Sequence, residues 1–151
     1  VRTYAWVESD DLGQLEAQIE RRIEEGFDAV KLVASGRLSP IASAEVLAGV
    51  VDRAELARAA DVAVVVIGQN QNMIGELAST STLDLPGRQL ELLQAVVETG
   101  TPTVALVMSG RPLDLRWAAD HVPAILQVWY PGTRGGDAVA AVLDLLRDRR
   151  P

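Results

Sequence analysis

The stretch Asp61-Val-Ala-Val-Val-Val-Ile-Gly-Gln-Asn-Gln-Asn-Met-Ile-Gly-Glu76-Leu-Ala-Ser-Thr-Ser-Thr-Leu-Asp-Leu-Pro-Gly-Arg-Gln89 decides the fold. Val62 to Ile67 is an unbroken apolar run, as expected of a central parallel strand covered on both faces. A long polar loop follows, Gly68 to Leu85, with Glu76 beside Gly75 among amides and hydroxyls. Pro86 then reads as the first residue of a helix. Leu90, Leu93, Val96 and Val97 form its buried face, and Gly100 ends it. Strand, loop and helix in this order make one unit of an α/β sheet.

The same unit recurs in both directions. Towards the C-terminus come a strand at Thr103–Met108, a short helix over Leu113–His121 after Pro112, and a strand at Ala124–Trp129. A turn at Pro131–Gly136 then leads into a last helix from Asp137. Towards the N-terminus, Arg2–Val7 has strand character. Ser9 or Asp10 is placed to cap a helix carrying Leu12, Leu15, Ile19 and Ile23 on one face, and Gly26 stands at its end. Phe27–Val33 is a second strand. Ser43 is placed to cap a second helix through Val46, Leu47, Val50, Val51 and Leu56.

Five strand–helix units in strict alternation predict an α/β fold. The expected form is a flavodoxin-like, doubly wound, five-stranded parallel sheet of order 2-1-3-4-5 in three layers. The whole of 1–151 is expected to be a single domain, a size that suits one core.

Composition narrows the function. A net charge of -7 argues against nucleic acid or an anionic membrane as partner. No cysteine is present, so thiolate chemistry and sulfur metal sites are excluded. The longest apolar run is far too short to cross a bilayer, and the N-terminus has no signal-peptide pattern. A soluble chain of unassigned compartment is expected, and its start at Val1 inside a strand pattern suggests a fragment.

In an open parallel sheet, ligands bind beyond the carboxyl ends of the strands. The loop after the first strand, Glu8-Ser-Asp-Asp11, repels phosphate, and no Walker A or G-x-G-x-x-G pattern follows any strand. Asp10 and Asp11 superficially suit the Mg²⁺ site of a receiver domain, but the third strand ends in Ile67-Gly68-Gln69 and offers no aspartate to phosphorylate. A lone histidine, His121, supports neither a triad nor a metal site. Gly132-Thr-Arg-Gly-Gly136 is expected to be a turn rather than an anion site. No cofactor and no metal are expected. Trp129-Tyr130 at a strand's carboxyl end is a candidate sugar-stacking platform.

Ala57-Arg-Ala-Ala-Asp-Val-Ala-Val-Val-Val66, Gly75-Glu76, Leu83-Asp-Leu-Pro-Gly-Arg-Gln89, Gly110-Arg-Pro-Leu113 and Trp129-Tyr-Pro-Gly-Thr133 stand in an order that carries a resemblance. Residues 54–146 resemble the C-terminal α/β domain of glycoside hydrolase family 3 β-glucosidases. The resemblance implies that Glu76 is the inherited general acid/base, and that the nucleophile is an aspartate of a separate barrel domain not contained in this sequence. Gln69 stands where relatives often have an acid, and Thr80 where they often have arginine. Asp84, close to Glu76 in sequence, is assigned a helix-capping role before Pro86.

Val1-Arg-Thr-Tyr-Ala-Trp-Val7 with Glu25-Gly-Phe-Asp-Ala-Val-Lys-Leu32 resembles the first βαβ unit of the barrel in enolase-superfamily sugar-acid dehydratases. That resemblance implies Lys31 as the nearest counterpart of a catalytic lysine, without the later metal-binding carboxylates. The two resemblances divide the chain into a barrel-derived segment, 1–45, and a glycosidase-like segment, 46–151. Taken together they predict an engineered chimeric scaffold with no natural activity, in which Glu76 is idle. The alternative is a residual glycoside hydrolase or sugar-binding domain that needs a partner barrel domain for its nucleophile. Weak sugar binding, and self-association through surface once covered by a barrel, are the partner expectations.

Overall fold

The computed structural model describes residues 4–7, 9, 11–27, 29–32, 49 and 52–148. Among the described residues the elements follow in the order β1 (Tyr4–Val7), α1 (Leu12–Glu24), β2 (Ala29–Leu32), β3 (Ala63–Gly68), α2 (Gln89–Glu98), β4 (Thr103–Met108), α3 (Arg116–His121), β5 (Ala124–Gln127) and α4 (Gly135–Asp148). A 3-10 turn at Arg53–Ala59 precedes β3, and a second at Gln71–Met73 lies in the long loop.

All recorded pairings are parallel, and the α/β class is as expected. The order is met only in part. β1 pairs with β2, and β3-β4-β5 follow one another, but the two groups are separate sheets among the described residues. The expected β1–β3 junction of a single 2-1-3-4-5 sheet is therefore not recorded. The central position expected of β3 changes accordingly. Among the described residues it lies at an edge of its sheet, with Val64 and Val66 44% and 56% exposed. A β1–β3 junction would be non-local, and the chain between β2 and the 3-10 turn lies almost wholly outside the described residues, as does most of the expected second helix.

The core forms on the other face of β3. Val65 and Ile67 of β3 and Ala105 and Val107 of β4 meet Leu93 and Val96 of α2, Ala118 of α3, and Ala54 of the 3-10 turn. Strand alternation places each pair on one face, and Leu93 and Val107 are fully buried. Burial of this kind stabilises by about 1.5–3 kcal/mol per large aliphatic side chain. On the opposite face, Leu106 and Met108 line an apolar hollow of about 500 Å³ with Val139 and Leu143 of α4. Helices thus flank the three-stranded sheet on both faces.

Local signals explain the boundaries. Asp11, rather than Ser9 or Asp10, caps α1: its Oδ1 accepts the Gln14 N–H at 2.8 Å. Ser9 supports the cap by accepting the Asp11 N–H at 3.1 Å, while Asp10 lies outside the described residues. Gly26, at φ +87°, closes the helix, and the Phe27 N–H reaches the Arg22 carbonyl at 3.0 Å. Pro86 does not start α2. Gly87 turns at φ +60° and the helix begins at Gln89. The expected Asp84 cap is absent, for Arg88 is the N-cap residue and no side-chain cap bond forms there.

Candidate functional site

The carboxyl ends of β3, β4 and β5 meet in a hydrogen-bonded platform. Gln69, directly after β3, is buried, and its N–H donates to the Met108 carbonyl at 2.8 Å. Ser109, directly after β4, is fully buried and accepts from Gln127 Nε2 at 3.2 Å. The Tyr130 hydroxyl donates to the Gln69 carbonyl at 2.9 Å. Sequence reasoning marked Gln69 only as a replaced acid. Its Oε1 is buried and meets no donor among the described residues.

The long loop is laid over this platform. Asn70 Oδ1 accepts the Asn72 N–H at 2.9 Å and starts the short 3-10 turn. Ile74 then packs on Gly110, where a Cβ would lie 2.1 Å from Ile74 Cδ1 and 2.9 Å from Tyr130 Cε2. Gly75 and Leu77 both have positive φ, +106° and +65°. Glu76 sits between these two reversals. It is exposed, and no described residue offers it a hydrogen bond or an ion pair. Further on, the Leu83 carbonyl accepts the Asp114 N–H at 2.7 Å, which joins the loop's end to the segment after β4.

Arg111, to which the sequence gives no role of its own, ties the loop to the end of β4. Its guanidinium donates to the Met73 carbonyl at 3.2 Å, the Ala78 carbonyl at 3.3 Å and Thr80 Oγ1 at 3.1 Å. Thr80, noted in the sequence as a replaced arginine, is thus an acceptor for another arginine. The signal lay in the Gly110-Arg-Pro-Leu113 block, but no spacing rule links that block to residues 73–80.

The other sequence candidates lie apart. Asp84 lines a hollow with Leu85, Glu91, Asp114, Arg116 and Trp117; Glu76 does not line it. In that hollow the Arg116 guanidinium beside Asp114 holds its carboxyl down at about 2. His121 stacks on Trp117 with ring centroids 4.5 Å apart, and its Nδ1 lies 2.7 Å from the Trp117 carbonyl. Gly135 is buried against Pro131, which makes the 132–136 segment a packing turn. Trp129 and Tyr130 are 49% and 42% exposed, with Trp129 at φ +55°. Lys31 places its Nζ 4.5 Å from the ring centroid of Trp6. Among the described residues no cluster of acids or histidines could hold a metal ion, and no helix is long and apolar enough to cross a membrane.

The chain is similar to known proteins in sequence and in fold. A β-xylosidase of Formosa agariphila is 41% identical over 87 residues, which is 58% of this chain and 12% of that protein. A periplasmic β-glucosidase of Salmonella typhimurium is 42% identical over 89 residues, 59% of this chain and 12% of that protein. Among solved structures, a β-glucosidase of Listeria innocua in complex with gluconolactone superposes with a TM-score of 0.62 at 30% identity. That superposition covers 83% of this chain and 17% of the other. The chain therefore spans about an eighth of the length of the curated relatives it matches. The family model of the glycosyl hydrolase family 3 C-terminal domain matches residues 5–144. That match takes in β1, α1 and β2, so a separate barrel ancestry and an engineered joint gain no support from it. The chain belongs to the glycosyl hydrolase family 3 C-terminal domain family.

Proposed function

We propose that this chain is the acid/base-bearing domain of a β-glycosidase, with Glu76 as the general acid/base and the nucleophilic carboxylate on a partner barrel domain. The observation that carries this reading is the position of Glu76. It is exposed and unpaired among the described residues, held between two backbone reversals beyond the carboxyl end of β3. The carboxyl group is offered outward, free to meet a ligand.

The chemistry follows from two carboxyl groups. In the first step, protonated Glu76 gives its proton to the glycosidic oxygen as the nucleophile attacks the anomeric carbon and the aglycone leaves. In the second, the Glu76 carboxylate takes a proton from water as that water displaces the nucleophile. Asp84 is a poor substitute for the missing carboxylate, since it lines a hollow in which Glu76 takes no part. The isolated chain is therefore without turnover. Exposed Trp129 and Tyr130 support sugar contact at the same end of the sheet. The scaffold reading also expects an idle chain, and the two part company once a barrel domain is supplied.

The test is to fuse the chain to the barrel domain of a family 3 β-glucosidase and to assay aryl β-glucosides and β-xylosides. The chain alone should do nothing above buffer. The fusion should turn over, and Glu76→Gln should cut that rate by about 10²–10⁴-fold. Azide should restore turnover of Glu76→Ala by displacing the nucleophile itself, yielding a glycosyl azide without removal of a proton. A fusion indifferent to Glu76→Gln would overturn the reading.

A further inference from the structure

Glu76 makes no bond of its own to the described residues, so its place depends on the backbone around it. One backbone bond closes the turn there, from the Ala78 N–H to the Gly75 carbonyl at 3.2 Å. Leu77 occupies the left-handed region at φ +65° and is fully exposed, so its side chain packs on nothing that would hold it there. A non-glycine residue stays in that region only where its surroundings over-determine it. The guanidinium of Arg111 clamps a wider span over this turn, bound to Met73 on one side of Glu76 and to Ala78 and Thr80 on the other.

We infer that Arg111 is a positioning residue for the acid/base: it fixes the loop on both sides of Glu76 and so sets where the carboxyl group points. This rests on the reading of Glu76 given above. Arg111 can serve because its own base is rigid. It follows Ser109, fully buried at the end of β4, and Gly110, packed under Ile74 and Tyr130. The strand end is thus coupled to the loop through one planar group. Thr80 extends the hold, since its hydroxyl also donates to the Thr82 carbonyl at 3.1 Å. A lysine offers a single ammonium on a flexible stem and cannot reproduce a fork that reaches two carbonyls and a hydroxyl at once.

The test has a structural arm and a kinetic arm. On the isotope-labelled full chain, backbone order parameters at Gly75, Glu76 and Leu77 should lie near the rigid value of about 0.85 and fall below about 0.6 in Arg111→Ala, with β4 unchanged. Arg111→Lys should fall between. In the barrel fusion, Arg111→Ala should lower kcat by about 10²-fold, the scale of a misplaced catalytic group, with KM little changed. Arg111→Lys should recover part of that loss. Unchanged order parameters in Arg111→Ala, or an unchanged kcat where Glu76→Gln is inactive, overturns the inference alone. Indifference to Glu76→Gln overturns the acid/base reading, and with it any catalytic part for Arg111, whatever the loop does.

Discussion

The side chain of Gln89 closes both backbone hydrogen bonds of Gly68. The Gly68 N–H donates to Gln89 Oε1 at 2.6 Å, and Gln89 Nε2 donates to the Gly68 carbonyl at 2.9 Å. One carboxamide thereby stands in for a neighbouring strand at the end of β3 and pins the first residue of α2 there. The loop that carries Glu76 leaves and returns at this joint.

Gln89→Ala should remove both bonds and leave two part-buried backbone groups without partners. The expected loss is about 2 kcal/mol, read as a lower urea midpoint with an unchanged slope. Gln89→Glu should recover little near neutral pH, because a carboxylate accepts from the Gly68 N–H but cannot donate to its carbonyl. A midpoint equal to that of the parent chain would refute this role.

Gly68→Ala should be far more damaging. Gly68 has φ +130°, and a Cβ there would lie 1.9 Å from the Met108 carbonyl oxygen. Backbone atoms must move to admit it, so a loss of at least about 3 kcal/mol is expected. Gly110→Ala is the control. Its Cβ would meet side chains only, the end of Ile74 and, at 2.9 Å, Tyr130 Cε2, and the loss should be about 1–2 kcal/mol. Thermal unfolding of the two variants should separate them clearly.

Glu76→Gln should leave stability untouched, within about 0.5 kcal/mol. The side chain is exposed, with no hydrogen bond or ion pair to the described residues. A large change in melting temperature would show that Glu76 holds the fold, and would leave its catalytic role without its main support.

Asp114 gives a pH prediction. Hydrogen bonds from the side chain and then the backbone of Arg116 lower its pKa from the ordinary value of 3.8 to about 2. A carboxyl group depressed on folding stabilises above its unfolded pKa and loses that contribution as pH falls through the folded one. The contribution is thus complete above about pH 4 and fades towards pH 2. Carbon-detected NMR titration should place the Asp114 midpoint near 2 in the parent chain and closer to 4 in Arg116→Ala. Equal midpoints would dismiss the pairing.

Parts of the fold are legible in the sequence, and for identifiable reasons. Thr103–Met108 was placed without error because an apolar run with β-branched residues has one stable use in such a chain. Gly26 and Gly100 were read as helix ends because each provides the positive φ that a C′ position needs. For the candidate site, the resemblance carried by Gly75-Glu76 singles out Glu76, which is exposed in the structure. The start of α2 is not legible, because Pro86 is a good first helical residue locally, whereas the actual start is tied to a contact between Gln89 and Gly68.

By itself the sequence determined the α/β class, the alternation of elements and the loop that carries the carboxylate. These depend on periodicity, glycine and proline, which act within a few residues. Only the tertiary structure decided which strands pair among the described residues, β1 with β2 and β4 with β3 and β5, that Gln89 closes the base of the loop, and that Arg111 holds it on both sides of Glu76. Each of those depends on hydrogen bonds between residues tens of positions apart, and a side chain's spacing along the chain carries no record of which distant carbonyl will need its proton.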